Sequence, residues 1–311
     1  MGGLNPSARD CPVREPPAGG ATLGGQVCKG EDMTVRVWVN GRLLGAGEAG
    51  VSALDHGVTV GDGVFETAKI VDGRGFALAR HARRLDRSLA GLGLRPADHA
   101  LIAEGIDAVL GAGDPIPFGR LRYTVTGGAG PLGSDRHDSA LTYIVTAGGQ
   151  PRPPASGKVS VVPWTRNERA ATVGLKTTSY AENVIALARA KEVGAIEAVF
   201  ANTREELCEG TGSNLFVVVD GEILTPPPES GLLEGITRAL VIEWCREDGL
   251  PVHEQTLPLS VLESADEVFI TSSTRDVLAV DAVDDRNLEP GPVTARAAKL
   301  FAARAAADLD P

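Results

Sequence analysis

The chain has 311 residues, 43% hydrophobic and 23% charged, enough for two domains with a sizeable core. Its formal net charge of −11 argues against a nucleic-acid or anionic-membrane partner, and no apolar run approaches the ~20 residues needed to span a membrane. The four cysteines (Cys11, Cys28, Cys208, Cys245) and the five histidines are scattered, which leaves no disulfide framework and no metal-ligand spacing and fits a reducing cytoplasm.

Residues 1–32 are rich in Gly and Pro, lack periodicity and lack the apolar core of a signal peptide, so they read as a disordered tail. Met33 opens a clean strand pattern and is an alternative start of the natural protein. "RVWVNGRLLGAG" reads as a hairpin turning at Asn40-Gly41. "VFETAKIVDG" comes after three glycines, Gly57, Gly61 and Gly63, a pattern consistent with backbone held close to a ligand. Leu78, Leu85, Leu89 and Leu92 fall at helical spacing in 76–94, and 98–111 reads as a second helix. "RLRYTVTGG" and "ALTYIVTAGG" are strands, and "GGQPRPPASG", 148–157, is a linker by composition.

Beyond the linker come a strand "KVSVVPW", a helix near 181–193, the strand "EAVFANT" and a hairpin around Asp220-Gly221. A helix over about 236–248, the strand "DEVFITSS" and a helix near 293–307 complete the chain. The expected organisation is α+β: tail 1–32, a small N-terminal α/β domain at 33–147, the linker, and a larger C-terminal domain at 158–311.

Of the 30 Lys and Arg residues only six are lysines, so positions that need only charge mostly use Arg. Lys176, in "VGLKTTSYAEN", is either a surface lysine at a strand end or a residue present for its amine, which unlike a guanidinium can become neutral and nucleophilic. Gly235, Ile236 and Thr237 open an amphipathic helix, which makes either a phosphate site or an ordinary cap. The hydroxyl run Thr271–Thr274 is either a set of phosphate donors or a polar turn. Glu209, in "LCEGTGSNLF", is either a solvated acid or a carboxylate facing a buried cation. Arg84 shares a helix face with His81 and is a candidate phosphate ligand or a solvated side chain. Gly128, Gly130 and Gly133 match a dinucleotide fingerprint in spacing only, because Pro131 and "SDRHDS" stand where a helix should begin.

An amine, a carboxylate, a phosphate cup and a basic anchor are together the set needed by pyridoxal 5′-phosphate, PLP. The segments "DHGVTVGDGVFET", "HARRL", "GLKTTSYAENVIALARA", "CEGTGSNLF", "GITRALV" and "DEVFITSSTRDV" resemble, in order and spacing, the fold-type IV or class IV aminotransferase family of PLP enzymes, from about Val35 to Val283. The resemblance implies a small N-terminal α/β domain and a larger C-terminal domain with a barrel-like sheet, with the site between them and completed in a homodimer. It implies Lys176 as the Schiff-base lysine, Glu209 at the pyridine nitrogen, Tyr180 at the ring hydroxyl, and Arg84, Ile236, Thr237 and Ser273 at the phosphate. Phe65, Lys69, Arg122 and Thr274 are the candidate substrate-binding residues.

The sequence departs from subgroup patterns of that family. Thr126-Gly127-Gly128 stands where D-amino-acid and lyase-like members often have Thr-Arg-Gly, and Val60 stands where branched-chain members often have tyrosine. Arg122 and Lys69 are the remaining candidates for the substrate carboxylate. The expected activity is amino transfer between an amino acid and a 2-oxo acid. The alternative is 4-amino-4-deoxychorismate lyase, whose pattern "GDGVFETAKIVDG" approaches.

Overall fold

The computed structural model describes residues 35–45, 47–48 and 50–311. The tail reading and the alternative start at Met33 lie outside these residues. In chain order the elements are β1 (Arg36–Val39), β2 (Arg42–Leu44), α1 (His56–Thr59), β3 (Gly63–Val71), β4 (Arg74–Gly75), α2 (Leu78–Leu92), α3 (His99–Gly111), β5 (Phe118–Thr126) and β6 (Thr142–Gly149). Then come β7 (Ser156–Arg166), α4 (Ala181–Glu192), β8 (Glu197–Asn202), β9 (Leu207–Gly210), β10 (Asn214–Val219) and β11 (Glu222–Thr225). The last are α5 (Ile236–Glu247), β12 (Val252–Glu254), β13 (Glu267–Ser272), β14 (Asp276–Val283), β15 (Arg286–Asn287) and α6 (Pro292–Ala307).

Local chemistry sets the turns and helix ends. Asn40 and Gly41 have φ of 45° and 86°, and Asp220 and Gly221 have 50° and 80°. Both central residues are left-handed, as a two-residue hairpin turn requires. The Asp98 side chain accepts from the amides of Ala100 and Leu101 to start α3. Gly93, at φ 70°, closes α2.

Among the described residues β2-β1-β6-β5-β3-β4 form one sheet. The helices α2 and α3 cover it through Leu85, Leu89, Ile102 and Val109, packed with Trp38, Ile70, Leu121 and Val145. The second sheet runs β12-β11-β10-β13-β14-β7-β8-β9. Its central strands are buried on both faces, so they read as continuous apolar runs. On β10, Phe216 and Val218 pack with α5 and α6, while Leu215 and Val217 face a separate interior cluster with Val159, Leu207 and Ile270. The β9 strand lies at one edge of this sheet, yet only Thr211–Ser213 connect it to β10, which belongs to the opposite half. So short a connection forces the sheet to curl into a half-barrel. The chain leaves the first sheet at Gly149 and enters the second at Ser156.

The β4 strand pairs only with Ile70 and Val71, which leaves the start of β3 an open edge. The segment around Lys176 fills it: the Phe65 amide donates to the Lys176 carbonyl at 3.0 Å and the Thr178 amide to the Gly63 carbonyl at 2.8 Å. The glycines of this region serve packing and do not line the cleft described below. A Cβ at Gly57 would strike the Thr126 side chain, and Gly61, at φ 70°, lies against Ser179.

Candidate active site

A cleft of about 630 Å³ opens between β3, β5, α4, α5 and the β13–β14 turn. Phe65, Arg84, Arg122, Lys176, Tyr180, Glu209, Ile236, Thr237, Ser273 and Thr274 all line it. Lys69, alone of the candidate catalytic, cofactor-binding and substrate-binding residues, does not. It is buried and donates to both carboxylate oxygens of Asp276 at 2.7 and 2.8 Å, with its ammonium over the Phe76 ring. That pairing removes Lys69 from the candidates for the substrate carboxylate.

Lys176 is fixed by its backbone and free at its tip. Its amide donates to Ser88 Oγ on α2 at 3.1 Å, and its carbonyl is held by β3. Its Nζ lies 3.1 Å from Tyr180 Oη and 4.4 Å from the centroid of Phe65. No carboxylate pairs with it among the described residues, so the amine is available. Tyr180 stands edge-on to Phe65 with centroids 5.0 Å apart.

Glu209 is a largely buried carboxylate of the cleft, its side chain 13% exposed. Its Oε2 accepts from the Leu233 amide at 2.9 Å, and its Oε1 lies 3.3 Å from Arg166 Nε. Burial pushes its carboxyl above the ordinary glutamate range, against the pull of Arg166 and the Leu233 amide.

The phosphate end is built from α5. Its N-cap is Gly235, which contributes no side-chain cap, so the first amides of the helix keep no internal acceptor. A Cβ at Gly235 would collide with the Asn214 side chain, which itself donates to the Leu233 carbonyl at 2.8 Å. Facing these amides are Ser273, Thr274 and Thr271, whose buried Oγ1 has no hydrogen-bond partner. An uncapped helix start beside an orphaned hydroxyl fits a bound phosphate. The amine and the buried carboxylate complete a donor set that fits PLP.

Arg84 is not a solvated helix residue. It is buried, donating from Nε and Nη2 to the two oxygens of Glu66 at 2.8 and 2.6 Å, and from Nη1 to the Glu234 carbonyl at 2.9 Å. These bonds engage three of its five donors and leave two for the cleft. His81 Nδ1 is 2.7 Å from the same carboxylate. Burial alone would raise the Glu66 carboxyl, but Arg84 and His81 pull it down to about 2. The depressed value contributes stability above the ordinary glutamate range, lost as pH falls from about 4.5 towards 2.

Several working residues carried no sequence signal. Glu66 is a lone acid in a strand until Arg84 is seen beside it. Glu197 is buried in β8 and accepts from Thr211, Ser213 at 2.9 Å, and Arg275, tying the turn after β9 to the turn after β13. Asn183 of α4 donates to the Thr211 carbonyl and braces the same turn.

The Amino-transferase class IV family matches residues 63–283, most of the described chain. A putative branched-chain-amino-acid aminotransferase of Methanocaldococcus jannaschii is 33% identical over 278 residues, covering 86% of this chain and 95% of that protein. D-alanine aminotransferase of Bacillus licheniformis is 33% identical, covering 84% and 93%. Aminodeoxychorismate lyase of Bacillus subtilis is 30% identical, covering 81% and 87%. An aminotransferase from Brucella abortus, solved with PLP, superposes with a TM-score of 0.78 at 28% identity, covering 88% of this chain and 99% of that one. Sequence match, superposition and the donor set of the cleft agree, and the chain belongs to the class IV aminotransferase family of PLP-dependent enzymes.

Proposed function

We propose that the protein moves an amino group between an amino acid and a 2-oxo acid. The observation that carries this reading is the pairing of a free amine with a free guanidinium over one ring. The Arg122 carbon Cζ stacks 3.6 Å from the Phe65 centroid, and Lys176 Nζ lies 4.4 Å from the same point. Arg122 meets no carboxylate among the described residues; its one bond is a long contact from Nε to Thr124 Oγ1 at 3.4 Å. A substrate α-carboxylate on Arg122 brings the carbon that bears nitrogen towards the lysine.

In this reading PLP, when bound, supplies an electron sink for that carbon. Ile236 and Thr237 amides, Ser273 and the two free donors of Arg84 hold its phosphate. Tyr180 holds the ring hydroxyl, and Glu209 holds a proton at the pyridine nitrogen. Lys176 carries the covalent link and then moves the proton at the substrate carbon, with Tyr180 orienting its amine. Phe65 and Thr274 shape the substrate side. The active protein is a homodimer; Val184 at the cleft rim and its neighbour Ile185 are 66% and 56% exposed in one chain. Cys208 and Cys245 are buried free thiols, which fits a reducing compartment.

The lyase is the alternative reading, and Gly127 does not separate the two: the arginine that D-amino-acid and lyase-like members often carry there would be crowded, because even a Cβ would lie 2.8 Å from Asp62 Oδ2, and Asp62 is engaged by Arg136 at 2.5 and 2.7 Å. The experiment that separates the two is a half-reaction. An amino acid added without acceptor should bleach the visible absorbance of the lysine-bound cofactor, release one equivalent of 2-oxo acid per site, and leave the absorbance recoverable with a second 2-oxo acid. Catalytic pyruvate from aminodeoxychorismate, with no bleaching by any amino acid, replaces the aminotransferase reading with the lyase.

Arg84→Ala is expected to act twice, and the two effects can be separated. It strands the Glu66 carboxylate in the core, which should lower apo-protein stability by about 3–5 kcal/mol in urea unfolding. It also removes two phosphate donors, weakening PLP binding more than the chemical step. Pairing it as Glu66→Gln/Arg84→Gln removes the stranded charge and should restore much of the stability while PLP affinity stays low. Wild-type affinity in that double variant means Arg84 serves the core and not the phosphate.

A further inference from the structure

The bend that joins β13 to β14 consists of Ser273, Thr274 and Arg275, between the paired residues Ser272 and Asp276. It carries Ser273, assigned to the phosphate, and Thr274, assigned to the substrate side. Its own bonds are long. The Arg275 amide donates to the Ser272 carbonyl at 3.2 Å, and Arg275 Nε donates to Ser272 Oγ at 3.3 Å.

The firm links run outward, from two consecutive residues of opposite charge. Arg275 donates from Nη2 to the buried carboxylate of Glu197 on β8. Glu197 also holds the turn after β9, accepting from the Thr211 amide at 3.0 Å and from Ser213 Oγ at 2.9 Å. Asp276 accepts from Lys69 of β3 at 2.7 and 2.8 Å. The Lys69 ammonium is itself confined, 4.7 Å from the Phe76 centroid and 5.6 Å from that of Phe301. One link therefore ties the bend to a distant strand of its own sheet, and the other ties it to the first sheet.

The backbone shows what the Asp276 side chain is for. Its φ is 52°, a left-handed conformation that closes a short hairpin loop and that glycine adopts without strain. Aspartate tolerates it less well than glycine, and what it gains there is the bond to Lys69.

We propose that Arg275 and Asp276 are positioning residues that clamp the phosphate-binding bend between the two sheets, Arg275 through Glu197 and Asp276 through Lys69. They act through Ser273, holding its hydroxyl opposite the start of α5. Lys69 thereby serves the site without lining the cleft. Both links are needed, because a bend tied on one side only can swing about that tie. The proposal rests on the phosphate site between α5 and the bend, and it holds equally for amino transfer and for the lyase.

The test is equilibrium binding of PLP, and of pyridoxal, which lacks the phosphate, to the full chain freed of cofactor. The wild type should bind PLP far more tightly than pyridoxal. Arg275→Gln leaves Glu197 its Thr211 and Ser213 donors. Lys69→Met paired with Asp276→Asn removes both charges of the other link, so that neither is stranded. Each change should weaken PLP about tenfold and leave pyridoxal within about twofold. The two together should weaken PLP no further than the larger single effect, since either loss already frees the bend. Arg275→Lys keeps a cation for Glu197 and should recover most of the affinity, a comparison that decides the point even if the buried pair cannot be replaced. Equal losses for PLP and pyridoxal, losses that multiply in the combined variant, or unchanged PLP affinity in Arg275→Gln overturn the proposal. A wild type that binds PLP and pyridoxal equally removes the phosphate site, and the clamp with it; a phosphate preference that no variant moves removes the clamp alone.

Discussion

Lys176→Ala is expected to abolish the visible absorbance of the lysine-bound cofactor and to lower turnover by about 10⁴-fold or more, the upper end of what one positioned acid–base group supplies. The fold should survive the change. The segment is held by its backbone, through the bonds of Lys176 to Phe65 and Ser88, and alanine makes both. The lost side-chain contact is an ammonium over Phe65, worth about 0.5–1 kcal/mol. PLP should still bind, because the phosphate cup on α5 does not involve Lys176. Borohydride reduction of the wild type and subsequent peptide mapping should tag Lys176. Lys69 is the informative competitor, a buried amine already engaged by Asp276. A tag on Lys69 or Lys158 would remove Lys176 from the assigned role.

The contrast between those two lysines shows what a sequence can and cannot disclose. Both sit in segments shared with the family. On β3 the side chains of Phe65, Thr67 and Lys69 leave one face, by the two-residue period of a strand. Phe65 and Thr67 reach the cleft, as that period predicts. Lys69 lies too far along the strand, where Asp276 intercepts it. Distance along a correctly assigned face depends on what the distant β14 brings against it, and no local pattern contains that. The same limit hid Glu66, whose partner Arg84 is 18 residues away.

Other features were legible because their cause is local. The two hairpins are dictated by Asn-Gly and Asp-Gly, whose backbones tolerate positive φ. The helices α2 and α3 arise from leucine spacing and from Asp98 as a cap. The G-x-G-x-x-G spacing at Gly128–Gly133 fails as a dinucleotide site because no helix begins after it. Gly128, at φ 77°, passes close to the Ala140 carbonyl, in a segment that leads to β6 with no helix between. The run Thr271–Thr274 was legible only as an alternative between donors and a turn. Its first half, Thr271 and Ser272, ends β13, its second half, Ser273 and Thr274, starts the bend to β14, and the orphaned Thr271 hydroxyl lies in the cleft wall. A cluster can be both when a turn is built at the mouth of a site.

Glu209→Gln is expected to keep PLP bound and to lower turnover by about 10²–10³-fold, or about 2.7–4 kcal/mol of barrier, the cost of losing one preorganised charge-stabilising group. Glutamine is close in shape, so its amide oxygen can still accept from the Leu233 amide and the backbone there need not move. What it cannot do is hold a proton on a ring nitrogen by opposing its charge. The swap also turns an amide donor towards Arg166, but Arg166 keeps Glu182 at 3.1 Å, so its charge is not stranded. Affinity for PLP should therefore fall much less than turnover, because the phosphate donors on α5 are untouched. The pH dependence gives a second, independent reading. Burial raises the Glu209 carboxyl, so as pH falls it protonates earlier than an exposed glutamate and loses the charge the reaction needs. The wild-type kcat profile should show an acidic limb above the ordinary glutamate value, and that limb should be missing from the glutamine variant. The linkage runs the opposite way for stability: a carboxyl raised in the folded state favours folding below its unfolded pKa and loses that advantage as pH rises through its folded pKa. Glu209→Gln should flatten this part of the stability profile as well. Near-normal turnover with the acidic limb intact would remove Glu209 from the ring-nitrogen position and leave it as a partner of Arg166 alone.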